Sequence, residues 1–158
     1  MAETQRSQQF AALATAFSDL SAHLNQPLLN NRVLEDAGVA LDAALARLLV
    51  GIHRHGPIGV VELSDRSGRD HTTVSRQVAK LAELGLVERK VSAEDRRVSK
   101  IATTTRGARV AHAVSDAHQR LVQPVLDDWK DRDVVELTRL MRRLADDVAN
   151  LRTTLEPV

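Results

Sequence analysis

The chain contains no cysteine, which removes disulfides, thiolate nucleophiles, Cys-ligated metals and thiol-based redox sensing together. Aromatic residues are nearly as scarce, at 2%. Because 43% of the chain is still hydrophobic, burial must rest on Leu, Val and Ala, which suits helices. A mainly α fold is expected. No apolar run approaches the roughly 18 residues of a membrane span. The start, "MAETQRSQQFAALATAF", lacks the basic beginning and unbroken apolar core of a signal peptide. The expected location is the cytoplasm, with no membrane partner. At 158 residues the length suits one domain with its own core.

Signatures of catalysis are also missing. There is no Gly-rich phosphate loop, no nucleophile elbow, and no carboxylate pair that stands out from ordinary helix charges. Of the six histidines, His53 and His55 lie two apart and His112 and His118 six apart, neither being the three- or four-residue spacing of a helical metal pair. No enzyme, catalytic residue, metal ligand or cofactor is expected.

What is present is an uneven charge. The formal net charge is only +1, yet residues 64–100 hold nine Lys and Arg against six Asp and Glu, while the remainder holds 13 against 15. The excess of cations falls on "RDHTTVSRQVAKLAELGLVERKVSAEDRRVSK". Such an asymmetry suggests a polyanionic partner, although charge runs are usually solvated faces.

Periodicity places the elements. Phe10, Leu13, Phe17, Leu20, Leu24 and Leu28 step by three and four, a single helical stripe that Pro27 and "NNR" end or kink. A second helix is expected over about residues 41–55, closed by Gly56-Pro57. "VVELSDRS" makes a short helix, and Gly68 supplies the positive φ of the turn after it. Asp70 caps the next helix and Gly85 stops it. Val74, Val78 and Leu81 form its inner face, with Leu84, Ala79 and Ala82 broadening that face. Thr72, Thr73, Arg76, Gln77 and Lys80 stand opposite. "LVERKV" and "VSKIAT" flank "SAEDRR" as a two-stranded hairpin, the one sheet expected. A long helix follows from Thr105 to about Pro124. The last helix carries Val134, Leu137, Met141, Leu144, Val148, Leu151 and Leu155. The end helices have more apolar stripe than a small central lobe can cover, so pairing with a second copy is expected.

The run from His55 to Gly107 resembles the winged helix-turn-helix of the MarR family of bacterial regulators. The resemblance is carried by "HGP" at His55 to Pro57, Leu63, "TTVSR" at Thr72 to Arg76, "L-x-x-x-G-L-V-x-R" from Leu81 to Arg89, "EDRR" at Glu94 to Arg97, and Thr104 with Gly107. Ser67, Arg69 and Thr103 depart from it, standing where the family usually has apolar residues. The resemblance implies one domain over residues 1–158, with 41–104 as the DNA-binding lobe and 1–40 and 105–158 as dimerisation helices. Phe10, Leu13, Phe17, Leu137, Leu144, Val148 and Leu151 would then pair two copies.

It further implies a ligand-responsive repressor, a homodimer on a pseudo-palindromic double-stranded DNA operator. A small aromatic or other apolar effector would bind between the dimer helices and the lobe. A helix with hydroxyl, amide and basic groups on its free face suits a major groove independently of any relative, Arg pairing with guanine edges and Gln with adenine. The reading-helix candidates are therefore Thr72, Thr73, Ser75, Arg76, Gln77 and Lys80. In the wing, the resemblance assigns a steadying role to Asp95 and DNA contact to Arg97, with Arg96 at phosphates. Arg69 is a candidate phosphate contact near the helix start. The competing classes are a helical oligomerisation module, which leaves the wing unexplained, and a non-specific nucleic-acid coat, which would normally be more basic.

Overall fold

The computed structural model describes residues 2–91 and 99–155. Among these are seven α-helices and one hairpin: α1 (Ala2–Leu24), α2 (Pro27–Ala37), α3 (Ala43–His55), α4 (Val60–Ser67), α5 (His71–Glu83), β1 (Val87–Val91), β2 (Ser99–Thr103), α6 (Thr105–Val122) and α7 (Asp131–Leu155). A 3-10 turn spans Gln123–Leu126. The described chain forms two compact units, residues 1–119 and 120–158.

In the first unit α3 lies at the centre. The Asp42 carboxylate accepts from the Leu45 amide at 2.8 Å and so satisfies an otherwise unpaired donor of the first turn. Leu45, Leu48, Leu49 and Ile52 then fall on one buried face. They join Leu63 of α4, Val74, Val78 and Leu81 of α5, Leu86, Val87 and Ile101 around the hairpin, and Ala111 of α6 in a single cluster. Burial of each large aliphatic side chain contributes about 1.5–3 kcal/mol, so this cluster dominates the stability of the lobe. Ala79 and Ala82 are not part of it: both are exposed, and the inner face of α5 is narrower than the alanines suggested.

The hairpin is antiparallel, with Val87 opposite Thr103 and Val91 opposite Ser99. A third segment adds to it, because Ile58 exchanges both backbone hydrogen bonds with Ile101, at 2.9 and 2.8 Å. That bridge fastens the loop after α3 to the hairpin.

The N-terminal stripe is divided differently from the sequence expectation. α1 ends at Leu24, and "NNR" lies inside α2 rather than beyond a helix end. Pro27 sits in the first turn of α2, where its missing N–H would be unpaired in any case. Asn30 donates its side-chain amide to the carbonyls of Gln26 and Asn25, at 3.1 and 3.2 Å, which secures that start. Gly38, at φ 63°, closes α2 by donating to the Glu35 carbonyl. Leu28 is consequently on α2 and exposed, whereas Val33 and Leu34 are buried.

Along α1 itself the stripe of Phe10, Leu13, Phe17, Leu20 and Leu24 is uncovered, Phe10 and Phe17 being 59% and 58% exposed. In the second unit α7 shows the same feature, with Leu137, Leu140, Met141, Leu144, Val148 and Leu151 all exposed. No described helix is long and apolar enough to cross a membrane.

Candidate nucleic-acid interface

Helix α5 is set by two local devices. Gly68, at φ 63°, reverses the chain after α4 in a conformation that side-chain-bearing residues rarely adopt. Asp70 then caps α5, its carboxylate accepting from the Thr73 amide at 2.8 Å. The hydrogen bonds from Thr73 hold the Asp70 carboxyl below its usual pKa. With Val74, Val78 and Leu81 turned inward, the outer side of the helix is fixed by its period.

Thr72, Arg76 and Lys80 are exposed on that outer side, while Thr73, Ser75 and Gln77 are partly buried along its flanks. Gln77 is already engaged: the Arg69 guanidinium donates to its Oε1 at 3.0 Å. The Lys80 ammonium donates to the Glu83 carboxylate at 3.2 Å. Both partners are more than half exposed, so this pair is weak in water and readily exchanged for a phosphate. Ser75 Oγ is 3.5 Å from the His71 ring. Glu83 is the residue the sequence reading missed, and its position three beyond Lys80 was the available signal.

The wing is anchored at its base by the start of α6. Thr104 Oγ donates to the Gly85 carbonyl at 2.8 Å and accepts from the Gly107 amide at 3.0 Å. Arg106 donates to the Leu84 carbonyl at 3.1 Å. Gly107 passes so close to the hairpin that a Cβ there would stand 1.8 Å from the Leu86 carbonyl oxygen. Thr103, an unusual residue for its place, lies 3.3 Å from His53 Nδ1. His53 Nε2 in turn meets His112 Nε2 at 3.2 Å, with the rings edge to face. Three elements, α3, β2 and α6, are thus joined by polar side chains at the wing base. On the hairpin, Glu88 pairs with Lys90 at 3.3 Å. Asp95, Arg96 and Arg97 lie outside the described residues.

Arg47 of α3 lines two cavities. One, of about 370 Å³, is walled by the end of α1, by α2, α3 and α6, with Leu24, Val33, Leu34, Val50 and Val114 supplying apolar surface and Arg47, Arg54 and His118 supplying polar groups. The second lies between α3 and α4, with Arg47, Arg66, Arg69 and His55 among its lining. Among the described residues no group of three or more His, Asp or Glu is placed to hold a metal ion.

A helix-turn-helix whose second helix presents its polar face, followed by a hairpin, defines a winged DNA-binding lobe. The model of the MarR family matches residues 41–99. Among solved structures, a MarR family protein from Bacillus stearothermophilus superposes with a TM-score of 0.74 at 22% identity, covering 90% of this chain and 97% of that one. MarR of Staphylococcus aureus in complex with salicylate and kanamycin gives 0.65 at 21%, covering 90% and 96%. FabT of Streptococcus pneumoniae in complex with DNA gives 0.61 at 17%, covering 85% and 99%. No curated protein matches the chain. Residues 41–99 thus match the MarR-family winged helix-turn-helix, and the fold over most of the chain is the one these solved structures share.

Proposed function

We propose that the protein is a cytoplasmic, ligand-responsive repressor that binds a pseudo-palindromic operator as a homodimer, one α5 in each of two successive major grooves. The observation that carries this reading is the free face of α5, where Thr72, Arg76 and Lys80 are exposed together on a helix whose opposite side is core. Arg76 reads a base edge, since it is nearer the helix start that points into the groove, and Lys80 meets a phosphate. Thr73, Ser75 and Gln77 flank them, and Arg69 reaches phosphate beside the helix start. In the wing, which Asp95 steadies, Arg97 reads the adjoining minor groove, whose potential favours cations where it is narrow, and Arg96 serves phosphates.

The uncovered stripes of α1 and α7 are the dimer surfaces, since each is longer than an isolated helix would leave in water. On this reading residues 41–104 are the DNA-binding lobe of a single domain, and residues 1–40 and 105–158 are its dimerisation helices. The apolar cavity over α3 takes the effector. Its mixture of aliphatic wall with Arg47, Arg54 and His118 suits a small aromatic or other apolar acid, and a relative binds salicylate.

Selection of bound fragments from randomised duplexes tests the whole. The expected result is one enriched motif with two half-sites about one helical turn apart. A pool that stays random, with binding that a scrambled duplex matches, would assign the protein to non-specific coats or oligomerisation modules instead.

A further inference from the structure

The second cavity along Arg47, about 390 Å³ in volume, carries three arginines where the first has two. Its floor is Leu48 and Leu63, both 3% exposed, and its walls carry three guanidinium groups, from Arg47, Arg66 and Arg69, together with His55. Among the described residues, their contacts use few of their donors. Arg47 gives one N–H to Asn25 at 3.2 Å, Arg69 gives one to Gln77 at 3.0 Å, and Arg66 directs two nitrogens at one oxygen of Glu62, both at 3.0 Å. Since a guanidinium carries five N–H donors, the three keep a surplus that suits the several oxygens of a phosphate group. Glu62 pairs with Arg66 alone of the three.

The electrostatics of His55 agree. Burial first, then the charges of Arg66 and Arg54, hold its imidazole below its usual pKa, against the opposing effect of Glu62. Aliphatic surface adequate for a benzoate-like acid lies in the other cavity, so a compact, hydrophilic, multiply charged anion is the occupant this one favours.

We propose that the cleft between α3 and α4 binds a small phosphate-bearing ligand, and that occupancy draws Arg69 away from Gln77 and thereby alters the reading helix. The coupling rests on α5 being the DNA-reading element; the site itself does not. Arg69 donates to Gln77 at the flank of α5. An anion that competes for the guanidinium releases that side chain, so binding in the cleft and binding of duplex are linked through one hydrogen bond.

Calorimetric titration of the full chain with inorganic pyrophosphate, at ionic strength held constant with potassium chloride, tests the site without DNA. The expected result is saturable binding of one anion per chain, weakened about tenfold or more in Arg66→Gln and in Arg47→Gln. Val114→Phe, which fills the apolar cavity, should leave it unchanged. Absence of saturable heat, or equal binding in all variants, overturns the site. Loss in Val114→Phe alone would place the anion in the first cavity and overturn it too. In a second arm, pyrophosphate at constant ionic strength should change wild-type affinity for the selected duplex by about fivefold or more, and Arg66→Gln should not respond. If pyrophosphate does not bind the free protein while Arg69→Gln lowers the salt slope of duplex binding by about one unit, the phosphate belongs to the DNA backbone and the proposal fails. Failure of the DNA reading would appear separately, as the absence of any selected duplex.

Discussion

On the outer face of α5, two cations two residues either side of Val78 have different surroundings. Arg76 makes no direct ion pair among the described residues but lies in the field of the Asp70 carboxylate, whereas Lys80 is paired with Glu83. If Arg76 reads a guanine edge through two hydrogen bonds, Arg76→Ala should cost about 1–3 kcal/mol at the selected site and relax preference at one base pair. Lys80→Ala should instead weaken all duplexes evenly and reduce the salt slope by about one unit. Glu83→Gln should strengthen binding to every duplex, because it removes a carboxylate that both competes for Lys80 and repels phosphate. Repeating the selection with each variant decides it: a changed base preference for Lys80→Ala and none for Arg76→Ala would mean that the helix enters the groove the other way.

Asp70 gives a test that needs no DNA. Its folded pKa is lowered by the Thr73 hydrogen bonds, so its contribution to stability is complete above the ordinary value of 3.8 and is lost as pH falls through the folded value. Asn caps equally well but does not titrate. Thermal melts should therefore show the wild type losing stability relative to Asp70→Asn below pH 3.8, with a constant difference above it. The same residue shows which site features the sequence exposes. A cap, a left-handed Gly68 and an inward stripe are read from neighbours in the chain. The hydrogen bonds joining Arg69 to Gln77, His53 to Thr103 and His53 to His112 are not, since the last two pairs are 50 and 59 residues apart and only the fold brings them together.

At the scale of elements, the junction of hairpin and α6 is the tightest in the lobe. Gly107→Ala would place a methyl 1.8 Å from the Leu86 carbonyl oxygen, and backbone rather than a flexible side chain would have to yield. Overpacking of this kind costs about 1–3 kcal/mol. The variant should melt at lower temperature and bind duplex more weakly, because α6 would be displaced from the base of the wing; an unchanged melt would show that the junction relaxes freely. Strong periodic elements were legible in sequence: α3, α4, α5 and the hairpin follow their apolar spacing and stop signals. The helix α2 was not, since only Val33 and Leu34 of it are buried and a short stripe resembles the tail of α1. Ala79 and Ala82 misled in the opposite sense. Alanine favours helix wherever it stands, so its apolar character did not mark the side that faces the core.

For the whole molecule, the uncovered stripes of α1 and α7 are where the proposed reading pairs two copies. A charge introduced there meets water in a monomer and a buried apolar surface in a dimer, so Phe17→Asp and Leu144→Asp should each weaken self-association about a hundredfold or more. The melting of the lobe core, of which neither residue is a member, should change little. Sedimentation velocity on the free variants reads this directly, and a wild type that already sediments as a monomer would remove the dimer from the account. Assembly and the free face of α5 act together in the proposed regulator, and one measurement addresses both. Sedimentation of the wild-type protein with its selected duplex should show two chains per duplex, with the complex lost on a scrambled sequence of equal length; one chain on an asymmetric site, or equal binding to the scrambled duplex, would contradict it.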